Sequence, residues 1–415
     1  LLEIKERTKL KEGKHTGIAK NRNLIVLQIE GLQNFVVGLD YNNQEVTPNL
    51  NKLIKDDGSL YFNDYHQLLG RGNTSDAEFV TNNSLHPSME EPTYSQYEKN
   101  TFYSLPNLLK DYGYTSWAFH GFEKSFWNRE KAYVNQGFER FLSEEEYEFD
   151  KEDIIAFGIK DEDFYMQTID YLKELDKVDD NPFYAFIISL SSHTPFTMPE
   201  KYNKLEILKE HDGNMVGDYI QSVHYADYAI GLFLDQLKEE GLYDNSVICI
   251  YGDHFGINAA QKEAPLVNSI IGREYDFDTM MNIPLIINIP GEDINETITT
   301  TGSQIDFFPT VLNLFGYENK KGLMFGRDLV NYKEDNIVMS QTYMLKGSFI
   351  TKDLLFEISR DNVFEHSRLI NRHTREDLDV EKARDISEYV NREINMSNYI
   401  LKTDYFKEMK IDEKN

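Results

Sequence analysis

Asn23-Leu24-Ile25-Val26-Leu27-Gln28-Ile29, followed at once by Glu30-Gly31, is the stretch on which the fold turns. Its aliphatic run lacks the apolar/polar alternation of a half-exposed strand, so a strand here is buried on both faces. Similar runs recur at 115–119, 183–190, 247–251 and 284–289. Between them the periodicity predicts helices over 49–55, 74–82, 105–112, 162–175 and 218–240. Strands separated by helices are βαβ units, which predicts an α/β fold with a mostly parallel central sheet flanked by helices. Such sheets bind ligands beyond the carboxyl ends of their strands.

From about residue 336 the texture changes. Short antiparallel strands are expected within 337–342 and 347–358, and one or two charged helices over 375–407, which together make a smaller C-terminal α+β subdomain. With 415 residues the chain is long enough for such a division. The expected boundaries are a lead-in segment at 1–22, a main domain at 23–335 and the subdomain at 336–415. No internal repeat or low-complexity tract interrupts it, and the acidic stretch 144–153 reads as a solvated loop face.

A formal net charge of −28 repels nucleic acid and anionic surfaces, and no basic stripe offsets it, so a DNA- or RNA-binding module is disfavoured. Any phosphate site must then be a local positive pocket built from metal, Arg and His. The single cysteine, Cys249, allows no internal disulfide and reads as a small buried side chain. No apolar run approaches the roughly 18 residues of a membrane span, and no leader pattern opens the chain at Leu1.

Polar clusters follow the strands. Glu30 ends the first one, where a carboxylate serves either as a ligand for a hard cation or as a solvated loop acid. Gly70-Arg71-Gly72-Asn73-Thr74-Ser75-Asp76-Ala77-Glu78 opens a helix whose N-terminal N–H groups favour phosphate. Thr74 is then a candidate nucleophile that metal coordination would activate. The plainer account is an N-cap in which Ser75 and Glu78 form a capping box. Tyr251-Gly252-Asp253-His254-Phe255-Gly256 puts Asp and His together at a strand end, suited to mixed oxygen and nitrogen ligation, or makes an ordinary loop. His193, in Ser191-Ser192-His193-Thr194-Pro195-Phe196, is either an acid/base or phosphate contact or a structural histidine. His120 precedes a segment with Trp127 and Arg129. Arg129 could clamp phosphate and Trp127 could wall a small polyol, against the alternative of a packed Trp and a surface Arg. The helix entered at Ser303-Gln304-Ile305-Asp306 is assigned to scaffold, with Asp306 as a cap or supporting group.

Ile29 to Gln33, Gly72 to Phe79, Phe126-Trp127-Asn128-Arg129, His193-Thr194-Pro195-Phe196, Gly241 to Ser246 running into Tyr251-Gly252-Asp253-His254, Leu323 to Gly326 and Phe349 to Asp353 follow one another in a familiar order. On these segments the chain resembles the extracellular catalytic domain of lipoteichoic acid synthases, within the sulfatase and alkaline phosphatase superfamily. The resemblance implies metal ligands at Glu30, Thr74, Asp253 and His254, with Thr74 the nucleophile. It also implies glycerophosphate contacts at His120, Trp127, Arg129 and His193, and manganese or magnesium as cofactor ahead of zinc. The implied reaction moves glycerol phosphate from phosphatidylglycerol to a polyglycerolphosphate or glycolipid acceptor through a glycerophospho-threonine. The implied setting is the outer face of a Gram-positive cell membrane, with the membrane met through segments absent from this chain. The Cys/Ser-x-Pro-x-Arg motif of sulfatases is missing at 74–78, which disfavours sulfate ester hydrolysis. Alternatives are a primase-type relative, a phosphoethanolamine transferase or phosphodiesterase, and a non-catalytic binding domain of the same fold.

Overall fold

The computed structural model describes residues 2–361 and 363–412. Asn23–Ile29 forms β1, buried along its whole length. The other main-sheet strands are β2 (Ser59–His66), β3 (Thr115–His120), β4 (Arg140–Leu142), β5 (Phe183–Ile188), β6 (Ser246–Gly252), β7 (Asn282–Asn288), β8 (Asn295–Ile298) and β9 (Gly302–Ser303). Their order is β8-β2-β7-β6-β1-β5-β3-β4, with β9 also on β2. β1 runs parallel to β5 and β6, and β3 runs parallel to β5 and β4. Only β7 is antiparallel to its neighbours, β2 and β6. Its antiparallel course brings the chain back into the sheet from the edge where β6 ends, so residues 253–281 stay at that edge.

Helices cover both faces. Those used below are α1 (Pro48–Lys55), α2 (Thr74–Asn83), α3 (Leu105–Asp111), α4 (Arg129–Gln136), α5 (Asp161–Leu175), α6 (Met215–Glu239) and α7 (Phe307–Phe315). Alternate residues of β1 feed opposite faces, as a pleated strand requires. Ile25, Leu27 and Ile29 pack with Leu50, Ile169 and Ile220 of α1, α5 and α6. Leu24 and Val26 pack with Phe79, Leu108 and Phe308 of α2, α3 and α7. Cys249 is buried on β6. Among the described residues no helix is long and apolar enough to cross a membrane.

Strand β2 lies outside the sequence reading. Its Ser-Leu-Tyr-Phe-Asn-Asp-Tyr-His composition mixes polar and apolar positions, and a register shift between Phe62 and Tyr65 breaks the alternation. A second, antiparallel sheet runs in sequence order through β10 (Val338–Met339), β11 (Phe349–Ile350), β12 (Leu354–Glu357), β13 (Arg368–Asn371) and β14 (Asp377–Leu378). The helix expected from residue 375 instead begins at Arg384, as α8 (Arg384–Thr403), followed by α9 (Tyr405–Asp412). Residues 377–378 are taken by β14, and Asp379 then caps a single 3₁₀ turn with its side chain. Val390 and Ile394 of α8 close this smaller core against Phe349 and Phe356. At the other end of the chain, Ile4 is buried in the main core and Arg7 pairs with Glu393 at 2.6 Å.

Candidate metal and nucleophile site

Parallel pairing of β1 with β6 sets Ile29 opposite Gly252, so Glu30 and Asp253 leave the sheet side by side. The Asp253 N–H donates to Ile29 O at 3.0 Å. Gly252 is required here, because a Cβ on it would collide with Leu32 O. Gly31 turns the chain away at φ +63°, and its N–H donates to Asp253 Oδ1 at 2.8 Å. The end of β5 holds Glu30 by its backbone: its N–H donates to Ser189 Oγ at 2.9 Å, and its carbonyl accepts from Ser192 Oγ at 2.5 Å.

Helix α2 begins at Thr74, but the Ser75–Glu78 capping box does not form. Ser75 Oγ donates to Gly72 O, and Glu78 turns to Arg129. Asp76 organises the turn instead, accepting the N–H groups of Gly70 (3.1 Å), Gly72 (2.6 Å) and Thr93 (3.2 Å). Asn73 enters the helix at φ +39°, a strained value of the kind that collects at functional turns.

Thr74 Oγ1 lies 3.3 Å from Glu30 Oε2 and 3.4 Å from His254 Nε2. His254 Nε2 is 3.4 Å from Glu30 Oε1 and 3.3 Å from Asp253 Oδ2. One donor atom from each of Glu30, Asp253 and His254 falls within 4.8 Å of the other two. Burial raises Glu30, and burial with the Glu30 charge pushes Asp253 up to about 7. Burial works against a charged His254, yet the two carboxylates outweigh it and raise its pKa. His254 Nδ1 sits 2.8 Å from Phe255 O; a carbonyl only accepts, so Nδ1 carries a hydrogen and a neutral ring aims its Nε2 lone pair at the carboxylates. Asp253 Oδ2 is buried and accepts no hydrogen bond among the described residues, with His254 Nε2 3.3 Å away. Two buried carboxylates, an imidazole and a hydroxyl thus converge, and among the described residues only His254 pairs with the two carboxylates. A small divalent cation is the group that such a donor set fits.

Arg129 and His193 lie in electrostatic reach of this cluster: the Arg129 charge acts on Glu30, and those of His254 and Asp253 act on His193. His120 ends β3, and its Nδ1 must donate to Ile188 O at 3.1 Å, leaving Nε2 as a buried acceptor without a partner. Burial, with Arg129 nearby, holds His120 well below the usual histidine range. Burial also lowers His193, whose Nδ1 faces Thr194 O at 2.7 Å. The Trp127 ring stands 5.5 Å from Phe126, on the loop before α4, with both Trp127 and Asn128 at positive φ. Arg129 is a buried residue, not a surface one, and its fixed partner is Glu78. Supporting groups that the sequence reading passed over include Gln304, whose side chain donates to Asp253 O at 2.6 Å and accepts from Leu68 N at 2.8 Å. Asp306 caps its own turn through Ser303 N.

Residues 22–317 match the family described as Sulfatase. Lipoteichoic acid synthase 1 of Bacillus subtilis is 35% identical over 405 residues, 96% of this chain and 60% of that protein. Lipoteichoic acid synthase of Staphylococcus aureus is 34% identical over 397 residues, 94% of this chain and 58% of that protein. The chain therefore spans about three fifths of the length of these relatives. Among solved structures, the lipoteichoic acid synthase LtaP from Listeria monocytogenes superposes with a TM-score of 0.87 at 29% identity, covering 97% of this chain and 98% of that one. A protein of the alkaline phosphatase superfamily from Vibrio parahaemolyticus shares the fold at TM-score 0.77 and 20% identity, over 97% and 95% of the two chains.

Proposed function

Because the chain belongs to the sulfatase family, we propose that it is the catalytic part of a phosphoglycerol transferase acting in lipoteichoic acid synthesis. The observation that carries this reading is the placement of Thr74 Oγ1, at the start of a buried helix, against Glu30 and His254. The donor group is the glycerophosphate of phosphatidylglycerol, and the acceptor is a hydroxyl of a polyglycerolphosphate chain or glycolipid. The work is done on the outer face of the cell membrane, as the ectodomain of a membrane protein. Similarity to lipoteichoic acid synthases across nearly the whole chain supports this assignment.

Glu30, Thr74, Asp253 and His254 would hold the cation, manganese or magnesium ahead of zinc. Once bound, such a cation supplies Lewis-acid polarisation and acidifies a hydroxyl it touches. Thr74 Oγ attacks phosphorus, forming the Oγ–P bond as the bond from phosphorus to the diacylglycerol oxygen breaks. Arg129 neutralises charge gathering on the phosphoryl oxygens. Thr74 Oγ gives up its proton as it attacks and the leaving diacylglycerol oxygen takes one up; the acceptor hydroxyl then loses its proton and attacks phosphorus, and Thr74 Oγ regains a proton as Oγ–P breaks. His120 and His193 are held neutral by burial, each with Nδ1 against a carbonyl, so each offers Nε2 to take the acceptor's proton or orient a glycerol hydroxyl. Trp127 flanks the glycerol.

Turnover of fluorescent phosphatidylglycerol, with manganese, magnesium or zinc added and with glycolipid or polymer as acceptor, tests the reading. Thr74→Ala is expected to lower headgroup transfer by roughly 10³-fold or more with an unchanged melting temperature. Near wild-type transfer by that variant would remove Thr74 from the mechanism.

A further inference from the structure

Arg129 is 1% exposed and Glu78 is fully buried, and the two meet face to face. Arg129 Nε lies 3.0 and 3.2 Å from the two Glu78 oxygens, and Nη2 lies 2.6 Å from Oε1. Tyr133 OH donates to Glu78 Oε2 at 2.6 Å, fixing the carboxylate from the other side. Arg129 Nη1 donates to Phe126 O at 3.4 Å. A guanidinium has five N–H donors; Glu78 and Phe126 engage three, which leaves one on Nη1 and one on Nη2. Glu78 sits four residues after Thr74 on α2, so the two side chains share a helix face.

We propose that Glu78 is a positioning residue, fixing the plane of the Arg129 guanidinium so that its two remaining N–H groups face the group carried by Thr74. This rests on the phosphoryl-transfer reading above. One helix then sets both partners of the reaction: its first residue supplies the attacking oxygen, and its next turn sets the cation that meets the phosphoryl oxygens. A pair retained only for stability gains little over well-packed apolar side chains of similar volume. This pair instead keeps two N–H groups that find no acceptor among the described residues, in a place where the Arg129 charge reaches Glu30 and His120. A bidentate fork fixes the orientation of the guanidinium as well as its charge, and a lysine would carry the charge without the plane.

Chemical rescue in the metal-supplemented chain tests the assignment. Arg129→Ala should lower kcat for headgroup transfer by about 10²-fold or more. Methylguanidinium should then settle between Glu78 and Phe126 O, recover about tenfold of that loss and raise the variant's melting temperature. Arg129→Ala/Glu78→Gln leaves neither charge stranded in the core, so it should fold, yet methylguanidinium should neither restore transfer nor raise the melting temperature. Equal rescue in both backgrounds, or rescue in neither, overturns the role of Glu78 and leaves Thr74 and its metal ligands untouched. Should Arg129→Ala alone turn over at the wild-type rate, the phosphate-contact reading of Arg129 fails and the role of Glu78 falls with it.

Discussion

Asp161 begins α5 with its carboxylate sealed from water. Oδ1 accepts the N–H groups of Leu190 (2.9 Å) and Ser191 (3.1 Å), while Oδ2 has no partner. Burial pushes its pKa up to about 6 from a usual 3.8. Between those values the unfolded chain has lost the proton that the folded chain keeps, so this group's stabilising contribution is full below about pH 4 and is lost as pH rises through about 6. Asp161→Asn keeps the Oδ1 acceptor and has nothing to ionise. It should be more stable than the wild type at pH 7, by on the order of 2–3 kcal/mol, with the gap closing toward pH 4.5. Urea melts at several pH values would show this, and parallel pH profiles for the two proteins would refute it. Residues differ in how much of this the sequence discloses. Asp253 and His254 stand out as a polar pair directly after an apolar strand, and Glu30 does so beside a glycine. Glu78 does not, since its local sequence fits a capping box equally well and its partner Arg129 lies 51 residues further on.

At the scale of elements, strands buried on both faces were the legible part, because they leave continuous aliphatic runs such as Val247-Ile248-Cys249-Ile250. Edge and bulged strands were not: β2 mixes polar positions with apolar ones, and β8 is largely solvent-facing. The antiparallel setting of β7 was hidden for another reason, since direction follows from how residues 253–281 return to the sheet and leaves no mark on the strand's own composition. The end of β6 passes close against the turn after β1. Gly252→Ala places a methyl group against Leu32 O, which cannot retreat without pulling Gly31 off Asp253. The variant should lose about 1–3 kcal/mol of stability, as overpacked sites do. It should also bind manganese at least about tenfold more weakly, because Asp253 moves with the strand end. Calorimetric titration with manganese checks this; unaltered affinity would mean that the ligand does not depend on the close approach.

At the scale of the whole molecule, the smaller sheet packs Val338, Ile350, Leu355 and Ile370 into the main core, and Arg372 adds a buried polar tie to the larger sheet. Arg372, at the turn after β13, reaches Asp64 of β2 with Nη2 at 2.7 Å and Asp278 with Nε at 3.0 Å and Nη2 at 2.9 Å. Its Nη1 also donates to Thr351 O at 2.7 Å within its own sheet. Burial alone would raise both carboxylates, but His66 and Arg372 outweigh it and hold them below their usual range. The sign is therefore opposite to that of Asp161: this tie is present above about pH 4 and is lost as pH falls. Arg372→Ala leaves the two mostly buried carboxylates, among the described residues, with only His66, at 3.8 and 3.5 Å, and Arg375, at 3.6 Å from Asp278, as cationic partners, and should cost at most about 3–5 kcal/mol. If the tie governs docking, the loss should be local, so that the Arg384–Thr403 helix becomes open to hydrogen exchange before the main sheet does. Asp64→Asn and Asp278→Asn added to Arg372→Ala should recover part of the loss, since no charge is then left unpaired. Hydrogen exchange followed by mass spectrometry separates the outcomes: protection lost evenly across both sheets would mean that they unfold as one unit, with Arg372 serving only the general stability of the fold.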